Sequence, residues 1–280
     1  MEPVCQNCGQ PTPGKFCANC GEKVYTAHDK SIRHLFEEAF HFITHLDSKF
    51  FRSIALVIKK PGFLSVEFCR GVRKKYFKPV SLFLIGVVIY LLLPFVQGLN
   101  LRFDSSIATF NSIGIHVLET AAEKKAAAHH VTMETLGEHY DAKSPKIAKL
   151  LLFLVLPLTG LALMFAFPRK DKFYFDHFIL GTEINTFFLY VCFILIPLIF
   201  TGISKLLYAL FNVDVWYTDV AIGPVMAIAL LYAYIMSFRR FYHVKISRAI
   251  LKSVLFLLLH SLIIFIIYRF ILYFIILLFI

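Results

Sequence analysis

Charged residues are scarce in this chain of 280 residues: Asp, Glu, Lys and Arg make up 17% of it, against about 25% in soluble domains. Hydrophobic residues make up 58%, and the mean hydropathy is +0.70. This composition excludes an ordinary soluble protein, because lipid must be the solvent for most of the chain. The polar, cysteine-rich N-terminus also lacks the apolar stretch of a cleavable signal peptide.

The apolar residues are gathered into runs long enough to cross a bilayer, which takes roughly 20 residues. Five runs are present, at 80–97, 148–167, 178–201, 220–238 and 250–275. The predicted fold is an all-α polytopic membrane protein with about five transmembrane helices, a small N-terminal cytoplasmic zinc ribbon and interfacial amphipathic helices. The predicted domains are the zinc ribbon at 1–24, cytoplasmic helices at 25–79, and a transmembrane domain at 80–280 with an outward helical loop at 98–147.

Two connections between these runs are poor in basic residues, and this predicts the orientation. The segment 98–147 has five basic and six acidic residues, whereas residues 1–79 contain thirteen of the 29 basic residues. The loops 168–177 and 239–249 are also basic. Because Lys and Arg are retained in the cytoplasm during insertion, we expect the N-terminus inside and the C-terminus outside.

The sharpest motif is a pair of Cys-x-x-Cys-Gly sequences in the first twenty-one residues. Each pair places two thiolates on one turn, and two such turns complete a tetrahedral sulfur cage. The alternatives are a redox dithiol or structural disulfides, but a reducing cytosol and the duplicated motif favour zinc. A cage filled by sulfur leaves no position for water, so the predicted Zn²⁺ is structural rather than catalytic. The predicted ligands are Cys5, Cys8, Cys17 and Cys20.

Apolar residues at helical spacing between residues 31 and 58 predict an amphipathic helix at the membrane interface. One of its polar faces offers a candidate second metal or proton site, and the alternative is a solvated face that happens to contain histidine. The residues concerned are His34, Glu38, His41 and His45. The sequence Lys59-Lys60-Pro61-Gly62 predicts a turn that ends this helix and starts the next.

A basic cluster precedes the first apolar run and predicts contact with anionic lipid headgroups on the cytoplasmic side. Its members are Arg70, Arg73, Lys74, Lys75 and Lys78. The formal net charge of +11 has the same explanation, and we do not expect nucleic-acid binding.

Polar side chains at the start of the third run form a candidate intramembrane site. Glu183 lies about 9 Å along the helix from His177 at 1.5 Å per residue, where a carboxylate is costly unless it has a partner. The alternative is a structural ion pair or a protonated carboxyl group. The candidate residues are Asp176, His177, Glu183 and Asn185, with Arg239 and Arg240 as counter-charges.

The chain resembles an uncharacterised family of bacterial integral-membrane proteins that begin with a zinc ribbon. The resemblance is carried by the cysteine pairs, residues 45–62, residues 71–79, Asp176-His177 and residues 237–242. It implies the bacterial inner membrane and no agreed activity. In that family a His-x-His pair follows the acidic-His pair, whereas this chain has Glu183 and Asn185 there, which argues against an intramembrane metal. At the level of the fold, the chain also looks like the Yip1-type five-span proteins.

Three functions are compatible with these features. The first is a docking, sensing or scaffold protein without catalytic activity, with a protein partner at the zinc ribbon; an oligomer is compatible with it. The second is a small transporter or channel that uses the polar residues of the third run. The third is an intramembrane enzyme, and it is the least favoured because no nucleophile and base have a defensible spacing.

Overall fold

A computed structural model describes residues 4–5, 8–11, 13–14, 16–20, 48–92, 101–169, 171–212 and 219–280. The chain divides into two units, Met1–Phe51 and Arg52–Ile280. The candidate site on the histidine-rich helix lies outside the described residues, which include none of His34, Glu38, His41 and His45.

The first unit contains the cysteine pairs and a short antiparallel bridge. Val4 pairs with Pro11, and the amide of Cys5 donates to the carbonyl of Gln10 at 2.9 Å. Gly9 has φ +74°, a backbone conformation that glycine adopts at little cost. The chain therefore reverses direction immediately after Cys8.

The second unit is mainly helical in its described part, and no strand occurs there. Its helices are α1 (48–59, beginning in the first unit), α2 (Phe63–Cys69), α3 (Pro79–Leu92), α4 (Phe103–Ser112), α5 (Val117–His129), α6 (Met133–Ala166), α7 (Tyr174–Phe187), α8 (Ile196–Phe211), α9 (Asp219–Tyr242), α10 (Ile246–Leu262) and α11 (Arg269–Phe279). Two π-helical segments, Phe188–Leu195 and Ile263–Tyr268, join α7 to α8 and α10 to α11. As predicted, a turn at residues 60–62 separates α1 from α2.

Three of the resulting helices are long and apolar enough to cross a membrane: Tyr174–Phe211 with 38 residues, Ile222–Tyr242 with 21 and Ile246–Phe279 with 34. A fourth candidate is α6, whose two halves meet at a bend of 57°. Pro145 lies shortly before that bend and removes one helical hydrogen bond. The apolar part of α3, Pro79–Tyr90, is shorter than these spans. The described residues thus contain three or four candidate spans.

Helix α7 is the centre of the bundle. Its residues from Ile179 onward are all buried, including the polar Thr182, Glu183, Asn185 and Thr186, so this part of the helix has no solvated face. It approaches α6 closely because both helices have a glycine at the contact. A methyl group at Gly181 would lie 3.2 Å from the amide nitrogen of Gly160, so a larger residue at either position would separate the helices.

The predicted outward helical segment at 98–147 is largely helical in its described part, from residue 101 onward, and it contacts α11. It contains α4, α5 and the first half of α6, which continues directly into the second apolar run. Aromatic contacts attach α4 and α5 to α11: Phe110 lies 5.8 Å from Phe270, and the Tyr273 hydroxyl donates to the carbonyl of Leu118.

Residues from the three basic segments lie together at one end of the helices. Phe68 of α2 contacts Phe175 at the start of α7. Arg169 donates to the carbonyl of Tyr242 at 2.6 Å, and the ammonium of Lys172 lies 4.9 Å from the ring of Phe241. The described parts of the three basic segments are therefore neighbours in the folded chain.

Candidate functional site

The four N-terminal cysteines form a cluster suited to a metal ion. Their sulfur atoms all lie within 4.8 Å of one another, with 3.6 Å between Cys5 and Cys20 and 3.6 Å between Cys8 and Cys17. A tetrahedron with metal–sulfur bonds of about 2.3 Å has sulfur atoms about 3.8 Å apart. The spacing therefore fits thiolates around one ion, and none of the four cysteines forms a disulfide.

Burial of the cluster is uneven. Cys5 and Cys17 are each 3% exposed, whereas Cys8 and Cys20 lie at the surface. Phe16 is 61% exposed immediately before Cys17. An ion bound by four sulfur atoms has no open position for a substrate, so the chemistry of this ligand set is structural, and an exposed aromatic side chain stands beside it.

Glu183 of α7 accepts hydrogen bonds from the start of α2. Its carboxylate accepts from the amides of Gly62 at 2.9 Å, Leu64 at 3.4 Å and Ser65 at 2.7 Å, and from the Ser65 hydroxyl at 2.5 Å. Glu183 is only 2% exposed. The first amides of a helix have no partner within that helix, so a buried carboxylate is a suitable acceptor for them. We call this arrangement, Glu183 with residues 62–65, the Glu183 cap.

The turn before α2 is fixed on its other side by α9. The Tyr232 hydroxyl donates to the carbonyl of Lys59 at 3.1 Å, and the guanidinium of Arg240 donates to the carbonyl of Pro61. Gly62 has φ +80°, and a methyl group there would lie 2.8 Å from the Cα of Ser237. Only glycine fits both the backbone angle and this close approach.

The remaining candidates from the third run make separate contacts. Asp176 accepts from the amide of Phe173 at 2.9 Å and so caps its own helix, while the imidazole of His177 lies 2.7 Å from the Tyr242 hydroxyl. Arg239 is exposed. The structure therefore distributes the six predicted residues over several contacts instead of bringing them to one point.

Asp176 also affects Cys69 at the end of α2. Burial, together with a hydrogen bond to Asp176 and its negative charge, raises the pKa of the Cys69 thiol to about 12. The reactive form of cysteine is the thiolate, so Cys69 is not a nucleophile near neutral pH.

A buried polar chain connects α6, α7, α9 and α10, and sequence reasoning missed most of it. The side-chain amide nitrogen of Asn185 donates to the Thr159 hydroxyl at 3.0 Å and to the backbone carbonyl of Gly181 at 2.8 Å. Its oxygen therefore faces Nε2 of His260 at 3.3 Å, and Nδ1 of His260 lies 2.6 Å from the Tyr234 hydroxyl. The signal was the single histidine in a long apolar run, which requires a buried partner.

This chain of polar side chains lies close to the start of both π-helical segments. One segment begins three residues after Asn185, and the other begins three residues after His260. A small cavity adjoins Asn185, with Phe83, Leu152, Phe188 and Ile264 among the apolar residues that line it. π-Helical insertions are frequent at functional sites, and the polar groups here are arranged to form hydrogen bonds with one another.

The five predicted headgroup residues are all exposed: Arg70, Arg73, Lys74, Lys75 and Lys78. Two of them lie over aromatic rings, Arg73 at 5.0 Å from Phe68 and Lys75 at 5.6 Å from Tyr76. Arg70 forms an ion pair with Glu67 at 3.6 Å. Among the residues that the structure describes, no other acidic side chain forms an ion pair with this cluster.

Comparison with known proteins gives one family. A family model described as "Protein of unknown function (DUF3667)" matches residues 47–91, the part of the chain that contains α1, α2, the basic cluster and all but the last residue of α3. No curated protein matches the chain. No solved structure matches it either, so the likeness to Yip1-type proteins has no support there. The match agrees with the resemblance to an uncharacterised membrane family over these residues.

Proposed function

We propose that this protein is a bacterial inner-membrane docking or sensing component whose cytoplasmic zinc ribbon binds a protein partner. The ribbon binds one structural Zn²⁺ through Cys5, Cys8, Cys17 and Cys20. Five spans, with α3 as the first, anchor it, the N-terminus lies inside, and the protein has no catalytic activity. The interfacial helices transmit the state of the ribbon to the transmembrane bundle.

One observation carries this proposal: the four sulfur atoms are spaced as a tetrahedral metal requires, and all four ligand positions are filled. A closed site of this kind stabilises a short segment that has no hydrophobic core of its own. Because the metal site is closed, such a segment can act only through contacts made by its surface. The exposed Phe16, Ala18 and Asn19 around the cluster are the described part of that surface.

The alternative of a small transporter or channel has less support. A transport path needs polar groups that are available to a solute, whereas both carboxylate oxygens of Glu183 accept hydrogen bonds from residues 62–65. The cavity beside Asn185 is lined almost wholly by apolar side chains. An intramembrane enzyme is the least favoured alternative, because the sequence offers no nucleophile and base at a defensible spacing.

The test is metal analysis of the full-length protein purified in detergent without added metal. We expect one zinc per chain, no zinc in the double variant Cys8→Ser/Cys20→Ser, and unchanged zinc in the control Cys69→Ser. Crosslinking in cells should then capture a protein partner with the wild type and the control but not with the double variant. Wild-type protein without stoichiometric metal contradicts the proposal.

A further inference from the structure

We propose that an anionic phospholipid binds at the turn between α1 and α2, with its phosphate at Lys59 and Lys60 and its acyl chains along an exposed stripe of α9. This site is separate from the basic cluster at residues 70–78, and it does not depend on the zinc ribbon.

The two lysines are held in a fixed place. Tyr232 donates to the carbonyl of Lys59, and Arg240 donates to the carbonyl of Pro61, so two residues of α9 anchor the backbone on either side of Lys60. Gly62, the next residue, packs against the backbone of Ser237 and donates to Glu183. The turn is therefore a built part of the bundle, and the positions from which the lysine side chains extend are defined.

The positive charge at this turn has no protein counterpart in the part of the chain that the structure describes. The side chains of Lys59 and Lys60 are exposed, and neither forms an ion pair there. Glu183 contacts the same turn, but its oxygens accept hydrogen bonds from residues 62–65. Arg240 adds a third, half-buried cation, and its guanidinium donates to a neutral carbonyl.

An apolar stripe on α9 leads to this turn. Val225, Ile228 and Tyr232 are spaced by three and four residues, so they lie on one face of the helix. They are 39%, 68% and 43% exposed. Since Ile222–Tyr242 is long and apolar enough to cross a membrane, this face suits contact with lipid, and Tyr232 joins it directly to Lys59.

The combination selects a phospholipid with net negative charge. A lysine beside a lipid-facing surface is unfavourable unless an anion accompanies it, and a lipid phosphate is the anion available there. The stripe offers acyl chains a surface that inorganic phosphate cannot use. A zwitterionic headgroup carries its own cation and gains less from two lysines.

The test uses the full-length protein in detergent, titrated with dioleoyl phosphatidylglycerol and followed by native mass spectrometry of bound lipid. The variant Lys59→Gln/Lys60→Gln should bind this lipid at least about tenfold more weakly than the wild type. The matched control Lys124→Gln/Lys125→Gln loses the same charge from α5, which belongs to neither basic site, and should retain most of the binding. Tyr232→Phe keeps both lysines and the ring but removes the anchor, so its affinity should fall between the two.

Two further titrations separate the ligand sources. Dioleoyl phosphatidylcholine and inorganic phosphate should both bind the wild type weakly and should be insensitive to the lysine substitutions. Equal binding of phosphatidylglycerol by the wild type and the Lys59/Lys60 variant overturns the proposal, and so does an equal loss in the Lys124/Lys125 control. Full competition by inorganic phosphate would show an anion site without a lipid and would overturn it as well.

Discussion

Glu183 and Ser65 are 118 residues apart in sequence, yet the amide and the hydroxyl of Ser65 both donate to the same carboxylate oxygen of Glu183, at 2.7 and 2.5 Å. A buried carboxylate on the central helix thereby determines where α2 begins. Replacement of Glu183 by Gln substitutes an NH2 group, which is itself a hydrogen-bond donor, for one of the two oxygens that accept from residues 62–65. We expect Glu183→Gln to lower the free energy of unfolding by about 2–4 kcal/mol, because buried donors are left unsatisfied.

Thermal unfolding in detergent measures this loss, and Glu123→Gln is its control, since Glu123 is exposed on α5. Alkylation of Cys69, followed by mass spectrometry of its peptide, then shows whether α2 itself has detached. A Glu183 variant as stable as the control would show that the cap contributes nothing to stability.

Gly62 and Gly71 provide a comparison between a steric effect and a backbone effect. Both have positive φ, +80° and +94°, but a methyl group at Gly71 meets nothing within 4 Å, whereas at Gly62 it meets the backbone of Ser237. We expect Gly71→Ala to cost about 1–2 kcal/mol, the strain of the left-handed region. Gly62→Ala should cost more and should also expose Cys69 to alkylation. Equal thermal shifts in the two variants would contradict the close approach of α2 to α9.

The polar chain in the bundle should depend on the Tyr234 hydroxyl. Because Asn185 fixes His260 with its Nε2 hydrogen toward the amide oxygen, Nδ1 must accept from Tyr234. Tyr234→Phe leaves this nitrogen buried without a donor, and we expect a loss of about 1–3 kcal/mol. Tyr208→Phe removes an exposed hydroxyl from α8 and should be neutral in the same thermal-unfolding assay. A neutral Tyr234→Phe would mean that the chain is not formed.

Cys69 should react slowly with iodoacetamide at pH 8. Its pKa of about 12 lies above this pH, so the thiolate fraction is very small, and the rate should rise about tenfold per pH unit until the pH approaches the pKa. Asp176→Asn removes a negative charge and a hydrogen-bonding carboxylate, so it should lower the pKa and increase the rate at pH 8. Glu67→Gln, also at α2, is the control for a change of charge alone. A Cys69 that reacts at pH 8 as fast as a free thiol would contradict this burial.

The basic cluster before α3 should determine the orientation of the chain. If it is changed to Gln, we expect a mixed orientation, measured by protease protection of an N-terminal tag in inverted membrane vesicles. The variant replaces Arg70, Arg73, Lys74, Lys75 and Lys78. The matched control removes the five basic residues of the predicted outward segment and should keep a single orientation. It replaces Arg102, Lys124, Lys125, Lys143 and Lys146. A uniform orientation of the variant without the basic cluster would show that other segments determine the topology.

Features that depend on neighbouring residues could be predicted from the sequence. The apolar runs predicted the long helices, and Lys59-Lys60-Pro61-Gly62 predicted the turn between α1 and α2. The duplicated Cys-x-x-Cys pairs predicted the sulfur cluster. In each case the signal lies within a few residues, because propensity, hydropathy and ligand spacing are local properties.

Features that depend on how helices are rotated against one another could not be predicted. Glu183 was identified as a carboxylate in need of a partner, but its partners are backbone amides, which look alike at every position of a sequence. His260 and Asn185 meet only because α7 and α10 pack with these faces together. The π-helical segments change the rotation of α8 and α11 by inserting an extra residue per turn, and apolar composition does not indicate where this happens.

The Glu183 cap also has a consequence for the order of events during synthesis. The amide of Gly62 and its acceptor are separated by 121 residues, and chains grow at about 5–20 residues per second. The start of α2 therefore leaves the ribosome roughly 6 to 24 s before the carboxylate that receives it. During that interval α1, α2 and the basic cluster have no completed bundle to bind, and the membrane surface is their available partner.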